Sequence, residues 1–190
     1  MNNTSEKLIQ ISMRTFSEMG YYGTSLNNIA NELGIKKASL YNYFNSKDEL
    51  YEQCIERCMN KGMKLIKSID TKPHNAHEEL TKYFQEYIYD SEYLVKFYIQ
   101  LSFAPSNFTE MILEHNKELA VVFNSKLVDI HKNSEFKVNR EDFILFINMF
   151  VYGWLYRKSF VQNNVTPENI IKEFDQHIKI LMNQSNADNS

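Results

Sequence analysis

Proline and glycine are scarce in this chain, whose 190 residues include three prolines and five glycines. Sheet-rich folds need many tight turns, and these two residues favour such turns, so their scarcity argues against a sheet-rich fold. Charged residues make up 24% of the chain and are spread along it, which suits amphipathic helices. We therefore predict an all-α fold.

The chain also lacks a long apolar run. No stretch approaches the about 20 apolar residues that a transmembrane helix needs, and the N-terminal residues MNNTSEK contain no signal-peptide core. We therefore expect a cytoplasmic protein that does not associate with membranes. With only Cys54 and Cys58 present, one helical turn apart, packing is the main interpretation and a metal or redox pair is the alternative. No cofactor and no metal site are predicted.

A strong net charge is absent as well, because the formal net charge is −3. That value alone argues against general nucleic-acid binding, but the charges are unevenly distributed. Residues 34–47 contain Lys36, Lys37 and Lys47 and no acidic residue. These three lysines form a small basic patch, which is a weak electrostatic indication of DNA contact.

Apolar periodicity and capping signals predict nine helices. Gly20 ends the first helix, Thr24 and Ser25 are capping residues before the second, and Gly34 fits the left-handed turn that follows the second. Ser46 and Glu49 form a capping box at the start of a long fourth helix. The predicted helices span residues 4–19, 26–33, 36–43, 47–69, 76–90, 92–103, 106–133, 139–163 and 167–183.

The second and third helices, joined by the tight turn at Gly34, form the pattern of a helix-turn-helix unit, whose second helix lies in the major groove of DNA. At about 100° per residue, Leu40 and Phe44 of the third helix point toward the other two helices. Lys47 begins the next helix, where exposed amides also attract phosphate. The outer arc of the third helix carries side chains that suit base edges and phosphates, namely Lys37, Ala38, Ser39, Tyr41, Asn42 and Tyr43.

The run GYYGTSLNNIANELGIKKASLYNYFNSKDEL, with Phe16 before it, resembles the N-terminal signature of the TetR family of transcriptional regulators. The matching residues are Phe16, Gly20, Gly23, Thr24, Ile29, Ala30, Gly34, Leu40, Tyr41, Phe44, Ser46, Lys47 and Leu50. The resemblance implies DNA contacts at Ser25, Lys37, Ser39, Tyr41, Asn42, Tyr43 and Lys47, with Tyr41 and Lys47 on phosphates. Lys36 and Ala38 complete the set of predicted DNA-binding residues.

This resemblance implies a homodimeric transcriptional repressor that binds a near-palindromic operator. Residues 1–47 are then the helix-turn-helix domain, and residues 48–190 are the helical ligand-binding, regulatory and dimerisation domain. The proline-containing linker at 71–77 separates the first four helices from the rest. Three alternatives stay open: a solvated helix face without DNA contact, a helical small-molecule sensor or scaffold without DNA binding, and an enzyme. An enzyme would need a convergent nucleophile, base or metal set, and the sequence shows none, so we predict that the protein is not an enzyme.

A narrower likeness concerns four segments: KKASLY, the YEQ after the capping box, residues 98–101 followed by Pro105, and residues 154–160 with their Lys-Ser-Phe. These segments are similar to staphylococcal repressors of the intercellular-adhesion operon. The likeness implies control of biofilm polysaccharide synthesis.

Residues 83–108 are rich in aromatic side chains. Core packing explains most aromatic residues at helical spacing, whereas an apolar cavity with a few polar groups binds small molecules, so both interpretations are open. The candidate residues for a pocket that binds a small-molecule inducer are Tyr83, Tyr87, Phe97, Tyr98 and Phe103.

Residues 143–160 are apolar on nearly every face, and the last helix carries a second apolar set. A helix that is hydrophobic on most faces must be buried on most faces. The TetR resemblance implies that these two helices pair with those of a second subunit in a four-helix bundle, and a wholly intramolecular core is the alternative. The predicted dimer-interface residues are Phe143, Phe150, Trp154, Phe160, Ile170, Phe174, Ile178 and Leu181.

Overall fold

A computed structural model describes residues 3–72, 76–88, 92–160 and 166–183. Within these ranges the chain forms nine α-helices and two short 3-10 helices and no strand, which confirms the all-α prediction. None of the described helices has the length and apolar character that crossing a bilayer requires. The α-helices are α1 (Asn3–Gly23), α2 (Leu26–Leu33), α3 (Lys37–Leu40), α4 (Lys47–Ser68), α5 (Ala76–Ile88), α6 (Glu92–Gln100), α7 (Thr109–Lys132), α8 (Arg140–Phe160) and α9 (Pro167–Asn183), and the 3-10 helices are Leu101–Phe103 and Ser106–Phe108.

The capping residues act largely as the sequence predicts. Gly34 lies at φ 74° and ψ 26°, and its N–H bonds to carbonyls in the last turn of α2. At the other end of α2 the Ser25 hydroxyl accepts a hydrogen bond from the Asn28 N–H at 3.2 Å. The Thr24 hydroxyl instead donates to the Gly20 carbonyl at 2.7 Å, so only Ser25 caps this helix. Before α4, the Ser46 hydroxyl accepts from the Glu49 N–H at 3.1 Å, but the Glu49 carboxylate reaches back to the N–H of Asn45, at 2.7 Å. The capping box therefore extends one residue further than its usual form.

Gly20 ends the regular helix that opens α1, as the sequence predicts. Its φ of 67° and ψ of 178° are not helical, and the helical turn resumes and continues to Gly23. This combination of angles is accessible almost only to glycine. The break redirects the chain, so that Tyr21 turns back toward the interior, where its ring lies 5.1 Å from that of Tyr51.

Helices α3, α6 and α7 are shorter than predicted by three residues or more, and α7 begins at Thr109 instead of residue 106. Helix α3 ends at Leu40 instead of residue 43, and residues 41–43 follow as turns, with the Tyr43 N–H bonded to the Leu40 carbonyl at 2.9 Å. Ser46 caps α4, and Asn45 donates from its N–H and its side-chain amide to the Glu49 carboxylate, so hydrogen bonds with the start of α4 hold the end of this connection outside a helix. Helix α6 ends at Gln100 instead of residue 103, because the chain tightens into a 3-10 turn before the extended backbone at Ala104 and Pro105.

The described chain forms two compact units. The first consists of Met1–Gly62 and Glu92–Lys117, and the second of Met63–Ser91 and Glu118–Ser190. In the first unit α6 and α2 pack against α1, and in the second α5 packs against α9 and α8. The functional division predicted between residues 47 and 48 stays a prediction.

The core of the first unit is a cluster of aromatic rings. Phe16 of α1 is completely buried, and its ring contacts that of Tyr51 edge-on at 4.8 Å. Phe97 of α6 lies 5.6 Å from Tyr51, and Phe108, just before α7, lies 5.1 Å from the same ring. Segments far apart in sequence therefore join the helix-turn-helix residues in one hydrophobic core.

Both cysteines lie on the buried side of α4. Cys58 contacts the Leu94 carbonyl of α6 through its Sγ atom at 3.7 Å. Burial raises the pKa of Cys58 to about 12 and that of Cys54 well above its ordinary value. The thiolate is the nucleophile and the metal ligand, so both groups are inert in the folded chain. Among the described residues, no three histidine, cysteine or acidic side chains lie close enough together to hold a metal ion.

This burial predicts slow thiol chemistry. In native protein at pH 8, a thiol-specific disulfide reagent should modify Cys54 and Cys58 far more slowly than it modifies a free cysteine, and both should react at once in denaturant. Absorbance of the released thiolate measures both rates. Rapid modification of two thiols in the native protein would contradict the packing described for α4.

Candidate DNA-binding surface

Two buried side chains fix the orientation of α3. Leu40 is completely buried and Phe44 is 2% exposed, and Ile29 and Ala30 of α2 are buried as well. The left-handed turn at Gly34 reverses the chain between the two helices, so α3 packs its apolar side inward. The inward direction predicted for Leu40 and Phe44 is confirmed.

The predicted DNA-binding residues of this segment are exposed or half-buried, and Ser25 before α2 and Lys47 in α4 complete the predicted set. Ser39 and Tyr43 are half-buried, and Ser25 is exposed while its hydroxyl caps α2. Tyr41 presents 48% of its surface to solvent. The remaining exposed members of the set are Lys36, Lys37, Ala38 and Asn42.

Two acidic residues, Glu32 and Asp48, flank this basic segment in the sequence, and the carboxylate of each contacts other side chains. Glu32 of α2 forms an ion pair with Arg14 of α1. Asp48 of α4 accepts hydrogen bonds from the Tyr21 hydroxyl and from the Asn107 amide. The guanidinium of Arg14 thus partly offsets the charge of Glu32, which favours an anion at Lys36 and Lys37.

Lys47 occupies the first position of α4 and is half-buried. Its ammonium lies over the ring of Tyr21, 4.3 Å from the ring centroid. Burial lowers the pKa of Lys47, and the neighbouring Asp48 carboxylate opposes that change. A cation held on an aromatic face at a helix N-terminus is well placed for a phosphate, because the first-turn amides also attract anions.

A hydrogen-bonded group lies beside Lys47. The Tyr21 hydroxyl donates to Oδ1 of Asp48, and the Asn107 side-chain amide donates to Oδ2 at 3.2 Å. Burial and the bond to Asp48 raise the pKa of Tyr21 to about 12, so its hydroxyl stays a donor at neutral pH. The sequence did not indicate this group, because Asn107 is 59 residues from Asp48.

The five candidate pocket residues belong to different parts of the structure. Tyr83 of the second unit is buried, and its ring stacks on Phe123 at 5.2 Å and on Tyr87 at 5.7 Å. In the first unit, Phe97 is completely buried in the aromatic core. The Tyr98 hydroxyl donates to Oδ1 of Asn116 at 3.0 Å, and Phe103 is 65% exposed. Their role in binding an inducer stays a prediction.

Most of the predicted dimer-interface residues lie in the interior of the second unit. Phe143, Trp154, Ile170, Phe174 and Ile178 are each at most 2% exposed. Phe150 is half-buried, and its ring lies 5.2 Å from both Phe84 and Phe174. The side chains of Phe160 and Leu181 lie outside the described residues. These contacts form a hydrophobic core within one chain. The role of the predicted interface residues in a dimer stays a prediction.

Helix α8 has a second apolar face, which the sequence did not distinguish from the first. Leu145 and Met149 are each 61% exposed, and Tyr152 is 57% exposed. At about 100° per residue these three side chains share one side of α8, opposite Phe143 and Trp154. A sequence that is apolar all round does not show which side the chain itself will cover. We call Leu145, Met149 and Tyr152 the α8 outer face.

The profile of "Bacterial regulatory proteins, tetR family" matches residues 8–54, the segment that contains the helix-turn-helix and the start of α4. The biofilm operon icaADBC HTH-type negative transcriptional regulator IcaR of Staphylococcus aureus is 31% identical over 179 residues, which cover 94% of this chain and 96% of that relative. IcaR of Staphylococcus epidermidis is 31% identical over 180 residues, with the same coverage of both chains.

Solved structures share the fold at lower identity. A transcriptional regulator of the TerR/AcrR family from Aquifex aeolicus superposes with a TM-score of 0.70 at 21% identity, covering 94% of this chain and 99% of its own. A TetR transcription regulator from Haloarcula marismortui superposes with a TM-score of 0.71 at 15% identity, covering 96% and 100%. Together with the sequence relatives and the helix-turn-helix surface, these likenesses establish that the chain belongs to the TetR family and is a transcriptional repressor similar to IcaR.

Proposed function

We propose that this repressor works as a homodimer, with α3 of each subunit in the major groove of a near-palindromic operator. The proposal rests on the two-sided character of residues 36–44, the segment that contains α3 and the turns that follow it. Leu40 and Phe44 fix one side in the core, while Lys36, Lys37, Tyr41 and Asn42 are exposed on the other. A helix face that only contacts solvent does not need three lysines in a segment, residues 34–47, that contains no acidic residue.

The outward side chains divide into two roles. Lys36, Lys37, Tyr41 and Lys47 are suited to phosphate oxygens, which fix the orientation of the protein on the duplex. The bases are read by side chains that fit donor and acceptor groups or a thymine methyl. For that role we propose Ala38, Ser39 and Asn42, with Tyr43 and Ser25 at the edge of the contact.

The proposed target follows from the relatives. The two staphylococcal proteins are named as negative regulators of the biofilm operon icaADBC. Identity of 31% over 94% of the chain supports a related target, and the likeness extends well beyond the helix-turn-helix. We propose that this repressor controls genes for biofilm polysaccharide synthesis in the cytoplasm of its own organism.

The α8 outer face is the surface that we propose for the second subunit. TetR-family regulators typically form homodimers, and a two-fold interface brings the same surface of each subunit together. Gly153 is next to this face, and a Cβ atom added there would meet no atom within 4 Å. A glycine inside a helix costs about 0.5–1 kcal/mol relative to alanine. Since packing within the chain does not require Gly153, close approach of a partner helix is a reason for its presence.

Removing either proposed phosphate contact tests the docking of α3. Lys47→Ala and Tyr41→Ala should each weaken binding to every DNA sequence, because phosphate contacts carry no sequence information. Lys47→Ala should also lower the slope of log affinity against log salt by about one unit. Fluorescence anisotropy with a labelled duplex that the wild-type protein selects from random-sequence DNA measures both quantities.

The matched control is Lys67→Ala, which removes an exposed lysine from the other end of α4. Its affinity and salt slope should equal those of the wild-type protein. If Lys47→Ala and Tyr41→Ala behave as this control does, α3 is not docked as proposed. If the wild-type protein selects no duplex at all, the helical sensor or scaffold without DNA binding becomes the better account.

A further inference from the structure

Asn107 lies in the 3-10 turn between α6 and α7, yet its side chain reaches the first turn of α4. Its amide donates to Oδ2 of Asp48 at 3.2 Å, and the Tyr21 hydroxyl donates to Oδ1 of the same carboxylate. Both oxygens of Asp48 are therefore bonded to segments outside α4. We call Tyr21, Asp48 and Asn107 the α4 clamp.

The position of Asn107 is itself fixed by its neighbour. Phe108 is 1% exposed, and its ring lies 5.1 Å from Tyr51 of α4 and 5.8 Å from Tyr21. The side chain next to Asn107 is thus part of the aromatic core of the first unit. The buried Phe108 holds the turn against α4, and the exposed amide of Asn107 makes a directional contact at the start of that helix.

Lys47 joins the α4 clamp through the ring of Tyr21. The ammonium of Lys47 lies 4.3 Å from the centroid of that ring, and the hydroxyl of the same ring bonds to Asp48. A displacement of Tyr21 or Asp48 would therefore change both the backbone position of Lys47 and the surface on which its ammonium rests. The chain of contacts runs from Asn107 through Asp48 and Tyr21 to Lys47.

We infer that Asn107 is a positioning residue for DNA binding, which acts through Asp48 and Tyr21 to hold Lys47 where a phosphate can meet it. The inference rests on the proposed role of Lys47 as a phosphate contact. Asn107 itself does not touch DNA in this account, because it acts only through the first turn of α4. The competing interpretation is a surface hydrogen bond with no effect on DNA.

Asn107→Ala should weaken binding to the selected duplex about fivefold, since the hydrogen bond to the Asp48 carboxylate is lost. Ser106→Ala is the matched control, because Ser106 is exposed and adjacent. Circular dichroism should show that both variants are folded, with a Tm for Asn107→Ala no more than about 2–4 °C below that of Ser106→Ala. Affinities measured well below both Tm values then separate positioning from loss of structure. Affinity for Asn107→Ala equal to that for Ser106→Ala would overturn the inference.

A double-mutant cycle distinguishes positioning of Lys47 from a separate DNA contact. In a Lys47→Ala background, Asn107→Ala should have no further effect on affinity, because the group that it positions is already gone. A full fivefold loss in that background would overturn the inference. If the wild-type protein binds DNA and Lys47→Ala binds equally well, the proposed phosphate contact of Lys47 is wrong. If Lys47→Ala weakens binding but Asn107→Ala does not, only the positioning role of Asn107 is wrong.

Exchanging the side chains of Asp48 and Asn107 should restore the DNA affinity that a single substitution at position 107 removes. Asn107→Asp alone places two carboxylates against each other and should weaken binding more than Asn107→Ala does. The double variant Asp48→Asn with Asn107→Asp restores a donor–acceptor pair and the original net charge, so its affinity should recover most of the loss. A double variant as weak as Asn107→Asp alone would contradict the role of the hydrogen bond.

Discussion

Met149→Glu is expected to separate the two subunits and to abolish tight operator binding. In the proposed dimer the α8 outer face meets its own copy, so two carboxylates would be buried close together without a partner. Burying an unpaired charge costs several kcal/mol. In light scattering the protein should have the mass of a single chain, 22.5 kDa. A monomer has only one α3, so affinity for a palindromic duplex should fall by at least about a hundredfold.

Met149 suits this experiment because it is 61% exposed in the single chain. A charge there leaves the interior of the second unit intact, whereas Phe174→Glu would place a carboxylate in the core and confuse unfolding with dissociation. Leu113→Glu is the control, since Leu113 is comparably exposed, at 62%, but lies on α7. A folded Met149→Glu protein that remains dimeric would show that the interface lies elsewhere.

Phe16→Ala should destabilise the protein by about 3–5 kcal/mol, the usual cost of removing a fully buried phenylalanine ring. Phe16 is completely buried, and its ring contacts Tyr51 of α4 and Phe97 of α6. The cavity would therefore open at the meeting point of α1, α4 and α6. Urea unfolding followed by circular dichroism, at one protein concentration, measures the change in the free energy of unfolding.

Phe103→Ala makes the same chemical change at a side chain that is 65% exposed. It should alter the free energy of unfolding by no more than about 0.5 kcal/mol, as surface substitutions usually do. Equal destabilisation by the two changes would contradict the aromatic core described for the first unit.

Local signals in the sequence predicted the DNA-binding segment well. Gly34 marks a left-handed turn, Ser25 marks a helix start, and the spacing of Leu40 and Phe44 defines the buried side of α3. Each of these signals depends on residues within a few positions of one another, so the sequence contains them directly. The same reason explains why the helix series was predicted nearly throughout, with errors confined to the ends of helices such as α3 and α6.

Contacts between distant segments could not be predicted in the same way. Nothing near Asp48 in the sequence points to Asn107, because the hydrogen bond depends on how the turn before α7 packs against α4. Likewise, the aromatic residue Phe97 could equally have lined a pocket or filled a core, and only its contacts with Phe16 and Tyr51 assign it to the core. The type of a side chain determines which interactions it can make, whereas tertiary packing determines which residues it contacts.

Helix α8 illustrates a third limit. Its sequence is apolar on nearly every side, which indicates burial without showing which side packs within the chain. The structure places Phe143 and Trp154 inside and leaves Leu145, Met149 and Tyr152 outside. The residues predicted for the dimer were therefore drawn largely from the side that the single chain already covers.

Footprinting of the purified protein on the DNA of its own genome would show whether α3 recognises DNA as proposed. We expect protection of near-palindromic sites, with half-site centres about 34–36 Å apart or a multiple of that distance. The same sites should lose protection in Tyr41→Ala and Lys47→Ala and keep it in Lys67→Ala. Absence of any protected site, or protection that survives in the Tyr41 and Lys47 variants, would contradict DNA recognition by α3.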